Sequence, residues 1–162
     1  MTFEQTTGSP HHWLSQLTGG WAGTSRVWFE PDKLAGEAPI VGNIQLILDG
    51  RFALFLYQSA IEDEQQHGMF TFGYNTQLNQ FEASWVDSFH TNTSIMFCIG
   101  QPTDNGFSVL GSYPDPTGGP DWGWRTEVDL IDNDHLVITA YNILPDGMEA
   151  KATEATLTRV KK

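Results

Sequence analysis

Turn signals recur along this chain at intervals too short for a crossover helix to fit between them. Asp49-Gly50, Asp104-Asn105-Gly106 and Asp146-Gly147 are hairpin-forming groups, and polar stretches at 62–68, 76–79 and 132–134 interrupt the chain in the same way. Between them run VGNIQLIL, RFALFLYQSA, MFTFGYN, FEASWVD, TSIMFCIG, FSVLGSY, WRTEVDLI and HLVITAYNIL, rich in β-branched and aromatic residues. A parallel sheet needs a long crossover between strands, so βαβ units are excluded. A Greek key would need longer returns than these turns supply. About ten strands joined by tight turns spell an all-β, up-and-down antiparallel arrangement. A sheet of that width tends to curl, and closing it removes its exposed edges. The expected fold is therefore an up-and-down antiparallel β-barrel of about ten strands, with an interior that can exceed what side chains fill.

One helix precedes the strands. In SPHHWLSQL, Ser9 is an N-cap residue, Pro10 suits the first helical position, and Trp13, Leu14 and Leu17 share one face. Gly19 and Gly20 stop it, so it is short. Residues 1–8 read as a flexible tail, and PDKLAGEAP and PDPTGGPDWG read as loops. With 162 residues and no internal repeat, residues 1–162 form one domain.

Charge and cysteine usage exclude several classes. The formal net charge is −12 with only eight Lys and Arg, which disfavours nucleic acid and anionic membrane surfaces as partners. The acidity serves solubility or, in a sharper reading, attracts a cationic ligand or metal. The single Cys98 excludes an internal disulfide and a cysteine-based zinc site, and in SIMFCIG it reads as an inert buried thiol. The first residues lack the basic and apolar regions of a signal peptide, and no stretch reaches 18 apolar residues. A soluble, cytoplasmic protein is expected.

Gly19-Gly20-Trp21 carries the Gly-x-Trp spacing that follows a short helix and opens the first strand of lipocalin-like proteins, the calycins, which this chain resembles. The resemblance implies a tryptophan closing one barrel end, with an arginine of the last strand across its indole. Gly19, Trp21, Gly23 and Arg159 take those structural roles, Gly23 letting the strand bend. A narrower resemblance rests on DGRFALFLYQ, FTFGYNTQLNQFEASWVDS, GSYPDPTGG, WRTEVDLIDND and DGMEAKATEATLTR. These are similar to the bacterial DUF1579 family of lipocalin-like barrels of unknown function, from about Thr18 to Arg159. The related nitrobindins bind haem, but their extra glycine is Ser25 here, and no histidine occurs from Leu136 to Lys162. No haem or other cofactor is therefore expected.

The polar set that stands out is Trp85, Asp87, Arg125, Tyr141 and Glu154. Arg125 would clamp a ligand carboxylate, and Glu154 or Asp87 would serve as acid or base if buried. The same residues also suit an internal salt-bridge network or outward-facing charges, because a one-residue slip in strand parity reverses every side chain. Arg125, Glu154 and Asp87 are thus the catalytic candidates. His90 is placed near a barrel mouth, while the other histidines have no metal-binding spacing, so no metal site is expected. Aromatic lumen walls are expected from Phe52, Phe55, Tyr57, Phe72, Trp85 and Phe97, with Trp122 and Trp124 as packing or as an aromatic lip.

Three functions fit. The favoured one is a binding module holding a small, mostly apolar ligand against Tyr57, Phe72, Trp85, Asp87, His90, Arg125, Tyr141 and Glu154. FALFLY is apolar on both faces, which admits a homodimer. The second is a small barrel enzyme similar to phenolic acid decarboxylases, using Arg125, Glu154 and a tyrosine. The third is a protein-interaction module with a filled barrel. An enzyme is the less favoured reading.

Overall fold

A computed structural model of the protein describes residues 3 and 5–161. Helix α1 spans Pro10–Ser15, and the strands are β1 Gly19–Glu30, β2 Lys33–Ile47, β3 Phe52–Ile61, β4 Glu64–Asn75 and β5 Gln80–Asp87. They continue as β6 Met96–Pro102, β7 Gly106–Tyr113, β8 Trp122–Asp132, β9 His135–Ile143 and β10 Glu149–Arg159. Each strand pairs antiparallel with the next, and β1 pairs with β10, so the ten strands form a closed up-and-down barrel. Among the described residues, no helix is long and apolar enough to cross a membrane.

Alternation decides which side chains enter the barrel. On β3, Ala53, Phe55, Tyr57, Ser59 and Ile61 are buried while Leu56 is exposed. On β5, Phe81, Ala83, Trp85 and Asp87 point inward. On β8 the inward set is Trp124, Thr126 and Val128. The interior is an aromatic column. Trp85 stacks on Phe70, Phe70 on Phe72, Phe72 meets Phe107 edge-on, and Phe107 stacks on Phe81 at 4.5 Å between centroids. Each such side chain contributes roughly 1.5–3 kcal/mol on burial.

The helix closes one end. The Ser9 hydroxyl accepts from the His12 amide at 3.1 Å, which fixes the start of α1. Leu14 and Leu17 are fully buried against Trp21, whose indole N–H donates to the Leu17 carbonyl at 2.8 Å. Arg159 lies over that indole, 4.3 Å from its centroid, and donates to the carbonyls of Gln16, Thr18 and Asn133. A guanidinium there gains cation–π energy and satisfies carbonyls left open beyond the helix. Gly23 sits against β10 so closely that a Cβ would lie 1.8 Å from the Thr156 carbonyl oxygen.

Several local expectations are corrected. Residues 33–39 are strand, not loop: only Pro31 and Asp32 turn the chain, and Lys33–Pro39 run beside β1 as one arm of a long hairpin. Pro39 is tolerated because the ladder to β3 begins only at Val41. Residues 64–67 are also strand. Glu62 and Asp63, both at positive φ, complete the turn, and Gln66 points into the barrel. The turn near Gly50 is centred one residue early, on Leu48 and Asp49, both at positive φ, with the Gly50 amide bonded to Ile47. The tail is partly ordered, since Phe3 packs on His11 and under Arg51, and Gln5 donates to the Gly50 carbonyl. Met1, Thr2 and Glu4 lie outside the described residues.

Cys98 is 2 % exposed, and burial raises its thiol pKa to about 11. At pH 8 its reaction with a disulfide reagent is expected to be at least about 100-fold slower in the native than in the urea-unfolded protein, since thiolate is the reacting form. Equal rates, read by absorbance, would place the thiol at the surface.

Candidate functional site: the open barrel end

Opposite the helix, the barrel opens on a cleft of about 530 Å³. Trp28 and Phe29 reach it from the β1–β2 hairpin, Phe89 and His90 from the β5–β6 loop, and Tyr113, Pro114 and Pro116 from the β7–β8 connection. Phe29 and Phe89 face each other at 6.0 Å between centroids. The wall is thus aromatic, with Thr91, Ser94, Ser112, Asn142 and the Tyr113 hydroxyl among its uncharged polar groups. Below lies a smaller chamber of about 50 Å³, bounded by Phe55, Tyr57, Phe70, Thr126, Ile138 and Ala140 among others.

Trp85, His90 and Trp124 line both spaces and separate them. Trp85 and Trp124 stack at 5.2 Å, and His90 lies 5.6 Å and 5.5 Å from them. Three buried polar atoms have no hydrogen-bond partner among the described residues: His90 Nδ1, Trp124 Nε1 and Thr126 Oγ1. Native proteins pair nearly all such atoms, so three together at one cavity distinguish this end of the barrel.

Asp87 holds the partition in place. Its Oδ2 accepts from Tyr57 Oη at 2.7 Å and Gln66 Nε2 at 2.6 Å. Its Oδ1 accepts from the backbone amides of Phe89 and His90 at 2.8 Å and 2.7 Å. The Asp87 amide donates to Thr91 Oγ1. A carboxylate at the end of a strand thereby satisfies the first amides of the following turn. Trp85 Nε1 donates to Tyr57 Oη at 2.9 Å, joining the partition to the same network. Gly68, opposite Tyr57 in the ladder, leaves room for the phenol: a Cβ there would sit 2.0 Å from Tyr57 Cζ.

Burial pushes the Asp87 carboxyl pKa up. The His90 imidazole 3.5 Å from Oδ1, together with the hydrogen bonds donated by Tyr57 Oη and the His90 amide, outweighs this, and the pKa is about 2. The 3.5 Å imidazole approach makes no directed hydrogen bond, so the short backbone and Tyr57 bonds are the firm contacts. Burial, then the charge of Asp87, raises the Tyr57 phenol well above its usual range. Asp87 is thus an ionised anchor with both oxygens occupied, a poor general base, and Tyr57 stays protonated.

The other expected site residues divide by strand face. Arg125 and Tyr141 occupy outward register positions; Glu154, opposite Arg26, does so too but also borders the small chamber. Arg125 makes a bidentate contact to Glu149 at 2.9–3.0 Å, touches Glu127, and lies 4.4 Å from the Tyr141 ring centroid. Glu154 bonds Lys151 at 2.7 Å and faces Arg26 at 3.6 Å. The proposed lumen pairing of Arg125 with Glu154 is corrected accordingly, because Trp124 and Thr126 take the inward positions and turn Arg125 out. Phe52 and Phe97 also lie outside, Phe97 59 % exposed beside exposed Ile99. Phe72 is fully buried in the packed column and lines neither space. Gln66, Thr126, Asn142, Phe29 and Phe89 are site residues that the sequence reading missed. The alternation ending in Val128 points to Thr126 and the Asp87-x-Phe-His spacing to Phe89; Gln66, Asn142 and Phe29 carry no such local signal.

A closed ten-strand meander, sealed by a helix at one end and open on an apolar cleft at the other, is a lipocalin-like barrel. Residues 6–159 match the family described as "Protein of unknown function (DUF1579)", and the chain belongs to that family. The solved S-type phycobiliprotein lyase CPES from Guillardia theta superposes with a TM-score of 0.54 at 10 % identity, covering 96 % of this chain and 95 % of that one. At that identity the likeness is one of fold. No curated protein matches the sequence.

Proposed function

We propose that the protein binds a small, mostly apolar molecule at the open barrel end. The observation that carries this reading is the aromatic cleft of about 530 Å³, a volume within the range of small-molecule sites. Its walls would gain from covering apolar surface, and its few polar groups would orient the guest. An acid–base enzyme is less well supported: Asp87 is saturated with hydrogen bonds, and Arg125 and Glu154 neutralise other side chains on the exterior. Acidity and the shortage of cations favour a carrier or sensor of small molecules over a partner of nucleic acid.

The test is native mass spectrometry of the protein purified from cells, compared with the denatured chain. A released mass of a few hundred daltons is expected, lost in a Trp124→Ala variant that remains folded. A chain that carries no guest and binds no member of an apolar small-molecule library would overturn the reading.

A further inference from the structure

The lower chamber is too small to hold a guest alone, yet it has three polar atoms with nothing to bond. Thr126 is 1 % exposed and Trp124 4 %. Leaving such groups unpaired is costly, so their geometry has meaning if something reaches them. The indole N–H is only a donor, so an atom that answers Trp124 must be an acceptor. Thr126 Oγ1, two residues along the same inward face of β8, can serve the same atom, while His90 Nδ1 faces Asp87 Oδ1 at 3.5 Å.

The charge around the chamber selects among acceptors. Arg26 borders it, but its guanidinium is committed to Glu37 at 3.1 Å and Glu154 at 3.6 Å on the outer face. No other Lys or Arg lines either space among the described residues. Glu154 also borders the chamber, and the Asp87 carboxylate lies behind Tyr57 and Gln66. A carboxylate guest would lose its water and meet an anion, with no cation to compensate. An uncharged carbonyl or ring nitrogen meets neither penalty.

We propose that chamber and cleft are two parts of one site, and that its occupant is a flat, uncharged molecule whose carbonyl or ring-nitrogen acceptor passes the Trp85–His90–Trp124 partition to reach Trp124 Nε1 and Thr126 Oγ1. This rests on the ligand-binding reading and adds the class of ligand. The volumes agree: about 50 Å³ accommodates a terminal polar group, and about 530 Å³ accommodates fused rings. Passage requires His90 to shift, and His90 rides on a loop held by the Asp87 side chain.

The experiment compares 9-fluorenone, fluorene and fluorene-9-carboxylate by equilibrium dialysis. The first two differ in shape by little more than one carbonyl oxygen. Fluorenone is expected to bind the wild type about ten-fold more tightly than fluorene, the worth of one buried hydrogen bond, and the carboxylate most weakly. Thr126→Val keeps the side-chain shape and should reduce the ratio of fluorenone to fluorene affinity several-fold. Trp124→Phe should act in the same direction, and circular dichroism establishes that each variant is folded. Equal affinity for fluorenone and fluorene, the result expected if a trapped water alone serves the three atoms, overturns the acceptor assignment and leaves the ligand-binding reading standing. A preference that survives in both variants overturns it too. Binding of none of the three molecules overturns the flat, uncharged ligand class, while the released mass in native mass spectrometry decides the ligand-binding reading.

Discussion

Replacing Asp87 with alanine is expected to lower stability by roughly 3–5 kcal/mol, and the melting temperature by roughly 10 °C or more. The carboxylate is 3 % exposed and accepts four hydrogen bonds. Alanine would strand Tyr57 Oη, Gln66 Nε2 and two loop amides at once. The loss should show in urea unfolding and as a mobile Phe89–His90 loop in hydrogen exchange. A cost below about 1 kcal/mol would sink the assignment of Asp87 as the anchor of the partition. The same group predicts an acid dependence. Its folded pKa of about 2 lies below the ordinary 3.8. A depressed carboxylate contributes stability that is complete above the unfolded pKa and is lost as pH falls through the folded one. The wild type should therefore lose roughly 2 kcal/mol between pH 5 and pH 2 that the alanine variant has already lost.

The second large effect belongs to the sealed end. Trp21→Ala is expected to cost roughly 3–5 kcal/mol, because it opens a cavity under α1 and strands the Leu17 carbonyl. Trp21 is fully buried, its indole N–H bonds the Leu17 carbonyl, and its ring carries the Arg159 guanidinium. Trp21→Phe retains much of the volume but no donor, so roughly 1–2 kcal/mol should be lost. Thermal unfolding of the two variants checks the order; equal and small losses would mean that the helix, not the indole, closes the barrel.

These two sites divide the molecule into a structural end and an open end. Below, rings stack on rings and fill the interior. Above Phe70 the column ends at a tryptophan pair with polar atoms beneath it, and the barrel widens into the cleft. The gradient from packed to open interior places the ligand reading at one end of the same fold.

The sequence determined the architecture because its signals there are local. Ten strand-like runs, turn residues between them, an N-capped helix and a Gly-x-Trp opening each act within a few residues, and together they leave a closed antiparallel meander as the consistent outcome. The partnership of Trp85 with Asp87 was legible for the same reason, since two residues on one strand share a face whatever the register. The fates of Arg125, Tyr141 and Glu154 were not. Whether they point in or out depends on a parity that one bulge reverses, and β10 carries such a bulge between Lys151 and Thr153. Gln66 was hidden because a polar run looks like a turn until a buried carboxylate is found opposite it. Bringing Trp85, His90, Trp124 and Thr126 to one cavity from β5, β8 and a loop requires the barrel to close, and pairing between distant strands is a property of the tertiary structure alone.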